Sequence, residues 1–286
     1  MCDRDHSIDP AALELSRRRF AVLGLATTLA ACATNGTGPT GGIVERNVVI
    51  PTGDGMMDAF FVAPRGRASA AVIFWPDIAG LRPAFQAMAR RMAADGFAVL
   101  VANQYYRWRK APIWQDFAEF RTKGGFQAVG PWRQGLTPAA IATDTRAMVT
   151  WLDQQREVDR GKGIGVQGYC MGGPFTVRSA VAVPGRVRAA ASFHGGGLVT
   201  DKADSPHRVL GQSRASFLFA ISRDDDAKAP NDKVALREAA AAAGRPAEIE
   251  VYDGDHGWTV LDSPAYAQPA AERAYARLLA LYRAAL

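Results

Sequence analysis

The feature that most constrains this chain is a regular alternation of short apolar runs with segments of helical periodicity. Residues 70–75 and 97–102 are continuous apolar runs of strand length, and Phe85, Met88 and Met92 recur between them at helical spacing. Further strand-like runs begin at residues 164, 189, 217 and 249. Because such alternation favours strands buried on both faces, the sequence predicts an α/β fold with a mostly parallel central sheet and helices on both faces.

Turn and cap residues divide these elements. Residues 48–50 and 59–62 flank a Gly-Asp-Gly turn and predict a β-pair that opens the domain. Thr137 and Pro138 suit the N-cap and first position of a helix. A chain of 286 residues that is 48% hydrophobic and 22% charged can form one such domain, and we place it at residues 45–286.

The N-terminal residues 1–33 have the composition of an export signal. The basic stretch Ser16–Phe20 precedes the apolar residues 21–31, which are too few to span a bilayer. Its Ser-Arg-Arg-x-Phe order resembles the twin-arginine export motif. The sequence therefore predicts an exported, periplasmic protein.

Two modes of signal cleavage stay open. Residues 29–32 resemble a lipobox, in which Cys32 would be lipidated and become the N-terminus, whereas Ala31 and Ala33 suit an ordinary signal peptidase. Residues 34–44 are rich in Gly and Thr and predict a flexible linker. Membrane contact is expected only through the signal or a lipid on Cys32.

Charge points to a small-molecule partner with a mild preference for anions. Lys and Arg number 34 against 28 Asp and Glu, but the net charge of +6 is scattered and forms no basic run.

In residues 104–136, aromatic and basic side chains are interleaved, a mixture that nucleic-acid-binding proteins also use. An exported protein meets little nucleic acid, so we predict a cap over the site there. A surface excursion packed on its own aromatics is the alternative.

Cys170 is the candidate nucleophile. Cys2 and Cys32 fall in the predicted signal, which leaves Cys170 as the single thiol of the folded domain. It stands in Gly168-Tyr169-Cys170-Met171-Gly172, between a strand-like and a helix-like run, and this matches the Gly-x-nucleophile-x-Gly turn of α/β-hydrolases. The alternative is a small apolar residue buried in the core.

An acid and a base follow Cys170 in the chain order that a hydrolase triad requires. Counting from the end of the preceding strand favours Asp225 as the acid, and counting back from Pro230 favours Asp226. His256 lies in the loop after the next strand and is the predicted base. His194, at the end of another strand, is the less favoured base, and its simpler interpretation is a hydrogen-bonded residue at the pocket wall.

With these motifs, the sequence resembles the dienelactone hydrolase family from about residue 45 to the C-terminus. The family uses cysteine where most α/β-hydrolases use serine, and the resemblance implies ester or lactone hydrolysis through a thioester, without metal or cofactor. It also implies that Asp77 contacts the resting thiol. The N–H groups of Ile78 and Met171 would form the oxyanion hole.

The resemblance also implies substrate contacts. The segment around Tyr105 and Arg107 is similar to the family's Asp-Leu-Tyr-x-Arg, so Arg107 is expected to hold a substrate carboxylate, with Tyr105 and Trp258 as further contacts. Val260 replaces the family's second arginine, and Asp77 is shorter than its usual Glu. These departures loosen the tie to dienelactone, and we predict an ester or lactone as the substrate without naming it.

Two other functions are compatible with a sequence of this kind. A non-catalytic, exported ligand-binding protein on the same fold is the main alternative, because a fold alone does not determine activity. A thiol redox protein is disfavoured, since the predicted domain offers no second cysteine to resolve an intermediate.

Overall fold

A computed structural model describes residues 42–286 of the chain. Among these residues, the strands are β1 (Ile43–Thr52), β2 (Gly55–Pro64), β3 (Ala71–Trp75), β4 (Ala98–Ala102), β5 (Ile164–Tyr169), β6 (Val187–Phe193), β7 (Ser216–Ser222) and β8 (Ala247–Tyr252). The helices are α1 (Pro83–Ala94), α2 (Phe117–Thr122), α3 (Gly125–Gly135), α4 (Pro138–Leu152), α5 (Gly173–Ala182), α6 (Arg223–Lys228), α7 (Asp232–Ala242) and α8 (Gln268–Ala285).

The strands form one sheet in the order β1-β2-β4-β3-β5-β6-β7-β8. The β1–β2 and β2–β4 pairs are antiparallel and the remaining pairs are parallel. The predicted β-pair around the Gly-Asp-Gly turn corresponds to β1 and β2. The prediction of a mostly parallel sheet is therefore confirmed.

Helices cover both faces of the sheet, as predicted. One apolar core contains Ile141 and Met148 of α4 and Leu236 of α7. The other core, on the opposite face, contains Phe85 of α1 and Leu278 of α8. Because β3 and β4 are buried along their whole lengths between these layers, they can be continuous apolar runs with no polar alternation.

The start of the domain differs slightly from the predicted boundary. Strand β1 begins at Ile43 and pairs with Pro64 of β2, so two residues assigned to the linker belong to the sheet. The predicted export signal at 1–33, including Cys32, and linker residues 34–41 lie outside the described residues. Within residues 42–286, no helix has the length and apolar character needed to cross a bilayer.

Residues 104–136 contain α2 and α3 and pack largely on their own aromatic side chains. Trp114 lies edge-on to Phe120, with ring centroids 4.9 Å apart, and Trp132 packs against Tyr105 at 5.3 Å. The segment is also tied to the last loops of the domain, because the Phe117 N–H donates to Asp262 at 3.0 Å.

Candidate active site

Cys170 occupies a sharp turn between β5 and α5. Its φ of 52° is in the left-handed region, which ordinary side chains rarely adopt. A Cβ on Gly168 would lie 2.0 Å from the carbonyl oxygen of Gly172, and one on Gly172 would lie 2.5 Å from that of Trp75. Both glycines are therefore required by close backbone approach, as the predicted nucleophile turn demands.

His256 lies beside this turn on the loop that follows β8, and Asp225 lies beside it in the first turn of α6, directly after β7. The His256 Nδ1 is 2.5 Å from Asp225 Oδ2. The alternative acid, Asp226, binds Lys233 Nζ at 2.6 Å and makes no bond to His256. Of the two candidate acids, the geometry thus brings Asp225 to the histidine.

Electrostatics couple these residues. The hydrogen bond that His256 donates to Asp225 first, and then the neighbouring Cys170 thiol, raise the pKa of His256 to about 10, although burial opposes this. Burial raises the pKa of Asp225, but hydrogen bonds from His256 and Ser222 outweigh it, and the pKa ends below its ordinary value. The arrangement favours an imidazolium paired with the Asp225 carboxylate.

Asp224 and Ser222 support the pair, and sequence reasoning assigned neither of them this task. Asp224 accepts the backbone N–H of His256 at 2.8 Å, and Ser222 Oγ donates to Asp225 Oδ2 at 2.6 Å. Ser222 is also the N-cap of α6, which begins in the three-aspartate run. A serine three residues before an acid at a helix start was the signal available in the sequence.

His194 is buried behind His256 and is engaged at both ring nitrogens. Its Nδ1 accepts the Cys170 N–H at 3.1 Å, and its Nε2 is 2.9 Å from Thr259 Oγ1. Burial first, and then the charge on His256, lower its pKa to about 3. A neutral, doubly bonded His194 positions the turn and is not placed to act as a base.

The N–H groups of Ile78 and Met171 flank the thiol. Ile78 lies in the loop after β3, and Met171 directly follows Cys170. Within the described part of the chain, neither N–H donates to a backbone or side-chain acceptor. Two unpaired backbone donors beside a candidate nucleophile have the composition of an oxyanion hole.

A cavity of about 730 Å³ opens over Cys170 and His256. Gly130, Arg133, Gln134 and Leu136 give it one wall, so part of residues 104–136 lines the site. Arg133 and Lys202 are exposed lining cations with no ion-pair partner in residues 42–286, and no carboxylate described there lines the cavity. Nor does any cluster of three His, Cys, Asp or Glu in that range have the arrangement of metal ligands.

The expectation for Asp77 is wrong. Both of its carboxylate oxygens bind the buried guanidinium of Arg82, at 2.7 and 2.9 Å, and one also accepts the Ala79 N–H. Arg82 also binds Asp262 at 2.7 Å. A carboxylate held in this way stabilises the loop after β3 and does not contact the thiol.

The expectation for Arg107 is also wrong. Its guanidinium binds Asp144 through two bonds of 2.8 and 2.9 Å and Asp54 at 2.6 Å, and the side chain is not part of the cavity lining. Asp144 is completely buried, so its charge requires this partner.

Tyr105 and Trp258 do not line the cavity either. Tyr105 is fully buried, and its hydroxyl donates to the Ile78 carbonyl at 2.9 Å and lies 3.7 Å from Met171 Sδ. Trp258 is a core residue stacked on Tyr252, with centroids 4.8 Å apart. Predicted as substrate contacts, both instead lie behind the site.

Comparison with known proteins defines the class. The fold matches a crystal structure from Klebsiella pneumoniae, provisionally named a dienelactone hydrolase, with a TM-score of 0.70 and 22% identity over 84% of this chain and 98% of that one. A dienelactone hydrolase-like promiscuous phosphotriesterase from metagenomic libraries gives a TM-score of 0.67 and 22% identity over 86% and 99%. The fold is that of the α/β-hydrolases.

Sequence similarity narrows the class to a family. An Escherichia coli K12 protein with the provisional name carboxymethylenebutenolidase is 26% identical over 254 residues, 86% of this chain and 89% of its own. A Salmonella typhi protein of the same provisional name is 25% identical over 248 residues, 84% and 87% of the two chains. Residues 57–286 match the sequence profile of the dienelactone hydrolase family. The chain belongs to that family and is an ester or lactone hydrolase, as the sequence predicted.

Proposed function

We propose that this protein hydrolyses its substrate through a Cys170-His256-Asp225 triad and a thioester intermediate. One observation carries the proposal. His256 lies between Asp225, at 2.5 Å, and the thiol of a nucleophile turn that follows β5, and both neighbours raise its pKa. The ligand-binding alternative is not favoured, because binding alone requires neither this turn nor this order of residues.

Acylation uses the charged pair. The Cys170 thiolate attacks the carbonyl carbon, and the N–H groups of Ile78 and Met171 stabilise the oxyanion. His256, held protonated beside the thiolate, gives its proton to the leaving oxygen as the carbon–oxygen bond breaks. The alcohol departs and the acyl group remains on Cys170 as a thioester.

Deacylation uses the neutral histidine. Because the thioester has no thiolate charge, one of the causes that raise the pKa of His256 disappears on acylation. His256 then accepts a proton from water, and the resulting hydroxide attacks the thioester carbon. The carbon–sulfur bond breaks, the carboxylic acid leaves, and the thiolate again pairs with the imidazolium. Asp225 holds the tautomer throughout.

The test combines turnover with intact mass. Wild type should hydrolyse p-nitrophenyl acetate and simple lactones and show one acyl adduct, whereas Cys170→Ala should show neither. Asp226→Asn is the matched control, because Asp226 pairs with Lys233 away from the site, and it should keep both signals. Turnover by Cys170→Ala would remove the thiol from the mechanism.

We further propose that the cavity prefers esters with a negatively charged acyl chain. Arg133 and Lys202 line it without an ion-pair partner, and no described carboxylate opposes them. Both family arginine positions lack this role here, since Arg107 is paired with Asp144 and the second position is Val260. The cavity cations would attract a carboxylate across the site.

Paired substrates test this preference. Arg133→Ala should raise KM for a p-nitrophenyl hemisuccinate by up to about fivefold, the size of an exposed ion pair, and leave KM for the neutral acetate unchanged. Arg121→Ala is the matched control, because Arg121 is an exposed cation of the same segment outside the lining. Equal effects on both esters would contradict an anion preference.

Export through the twin-arginine route remains our proposal from the sequence. Replacing Arg17 and Arg18 by Lys should retain the protein in the cytoplasm, as cell fractionation would show. The mass of the mature protein distinguishes a lipidated Cys32 from simple cleavage.

A further inference from the structure

The carbonyl end of the peptide group between Asp77 and Ile78 accepts a hydrogen bond from the buried side-chain amide of Gln104. The N–H end of this peptide group belongs to Ile78 and is one of the two proposed oxyanion donors. Its carbonyl end, Asp77 O, accepts a hydrogen bond of 2.7 Å from Gln104 Nε2 and another of 3.0 Å from the Gly80 N–H. Two donors on one carbonyl fix the plane of the peptide and therefore the direction of the N–H.

The next residue secures the neighbouring peptide. Tyr105 donates its hydroxyl to the Ile78 carbonyl at 2.9 Å. Gln104 and Tyr105 follow β4, the neighbour of β3 in the sheet, so they reach the loop after β3 from the adjacent position. The peptide groups on both sides of Ile78 are thus anchored to one short segment.

Burial of the Gln104 side chain costs folding free energy. Its side chain is completely buried, and its Oε1 has no hydrogen-bond partner among the described residues. An apolar side chain of similar size would avoid that unpaired acceptor. What the amide supplies is the bond to Asp77 O, and the opposite amide orientation would point one oxygen at another.

We propose that Gln104 is a positioning residue of the oxyanion hole. Donation to Asp77 O orients the shared peptide and polarises its N–H, so that Ile78 binds the developing oxyanion more strongly. This inference rests on the thioester mechanism proposed above. Because a buried group that serves catalysis can cost stability, loss of the amide should weaken catalysis without weakening the fold.

The variant Gln104→Met keeps the length of the side chain and removes the amide. We expect kcat for p-nitrophenyl acetate to fall about tenfold, less than the about 10²–10³-fold that loss of an oxyanion donor costs, with KM unchanged. The Tm should stay the same or rise. Alkylation of Cys170 by iodoacetamide passes through no oxyanion and should proceed at the wild-type rate.

A matched glutamine provides the control. Gln167 is also buried, but its Oε1 accepts from Tyr282 and its Nε2 donates to Tyr169. Gln167→Met should therefore lower the Tm and leave the ratio of acylation to alkylation rates unchanged.

The outcomes separate this proposal from its premise. A wild-type kcat in Gln104→Met, or a parallel loss of acylation, alkylation and Tm, would overturn the positioning role. The premise fails on a different result, namely turnover by Cys170→Ala. A selective fall in kcat with an intact alkylation rate supports the assignment of Gln104.

Discussion

The 2.5 Å contact between His256 Nδ1 and Asp225 Oδ2 joins the loop that follows β8 to the first turn of α6. Each partner has a second support, because Asp224 accepts the backbone N–H of His256 and Ser222 donates to Asp225. The imidazole is therefore fixed in position and tautomer before any substrate arrives.

Asp225→Asn should lower kcat/KM for p-nitrophenyl acetate by up to about 10⁴-fold, the loss known when the aspartate of a Ser-His-Asp triad becomes Asn. The reason is that Asn no longer fixes the tautomer of His256 or stabilises its charge. Steady-state kinetics measure the effect. Asp226→Asn, one residue away and paired with Lys233, should stay within a few-fold of wild type.

Stability should fall with rising pH in a way that depends on Asp225. The pKa of His256 is about 10 in the folded chain against 6.5 ordinarily, because of Asp225 first and Cys170 second. The folded state therefore binds more protons between these values, so this contribution is complete below pH 6.5 and lost as the pH rises through about 10.

Urea unfolding across that pH window provides the measurement. The free energy of unfolding of wild type should decline more steeply with pH than that of Asp225→Asn, in which the largest cause of the raised pKa of His256 is missing. Parallel curves for the two proteins would contradict the assignment.

Gly172→Ala should prevent folding or strongly destabilise the protein. Its Cβ would lie 2.5 and 2.6 Å from the carbonyl oxygens of Trp75 and Pro76, and backbone atoms cannot move aside cheaply. Soluble yield and Tm report the effect. At Gly185, where an added Cβ has no atom within 4 Å, the same change should be tolerated.

Arg82→Ala should cost about 3–5 kcal/mol of unfolding free energy, because Asp77 would remain buried without its partner. Arg90→Ala is the contrast, since Arg90 and Glu45 are 38% and 41% exposed, and it should cost only about 0–1 kcal/mol. Urea denaturation measures the unfolding free energy of both variants. Equal losses would mean that the buried ion pair contributes no more to stability than the exposed one.

The sequence was informative where local chemistry decides the outcome. Apolar runs located the buried strands because β3 to β5 are covered on both faces, and the glycines around Cys170 revealed the turn because no other residue fits there. The order of acid and base along the chain placed His256 correctly in the loop after β8. Asp225 and Asp226 could not be separated, because a one-residue step at a helix start decides which carboxylate faces the histidine.

Two of the errors concern charged side chains whose ion-pair partners the sequence did not reveal. Arg107 was expected at the substrate, but Asp144, 37 residues away, binds it first. Asp77 was expected at the thiol, but its carboxylate forms an ion pair with Arg82, and Arg82 also binds Asp262. A family resemblance transfers residue types, whereas ion-pair partners depend on the three-dimensional surroundings of each charge.

Asp262 contacts two different parts of the molecule. It binds Arg82, which fixes the loop carrying Ile78, and it accepts the N–H of Phe117, where the cap begins its first helix. The start of α2 is thereby anchored to the same half-buried carboxylate as the loop after β3. The position of α2 and that of the loop after β3 therefore depend on one carboxylate, and a substitution at Asp262 would disturb both.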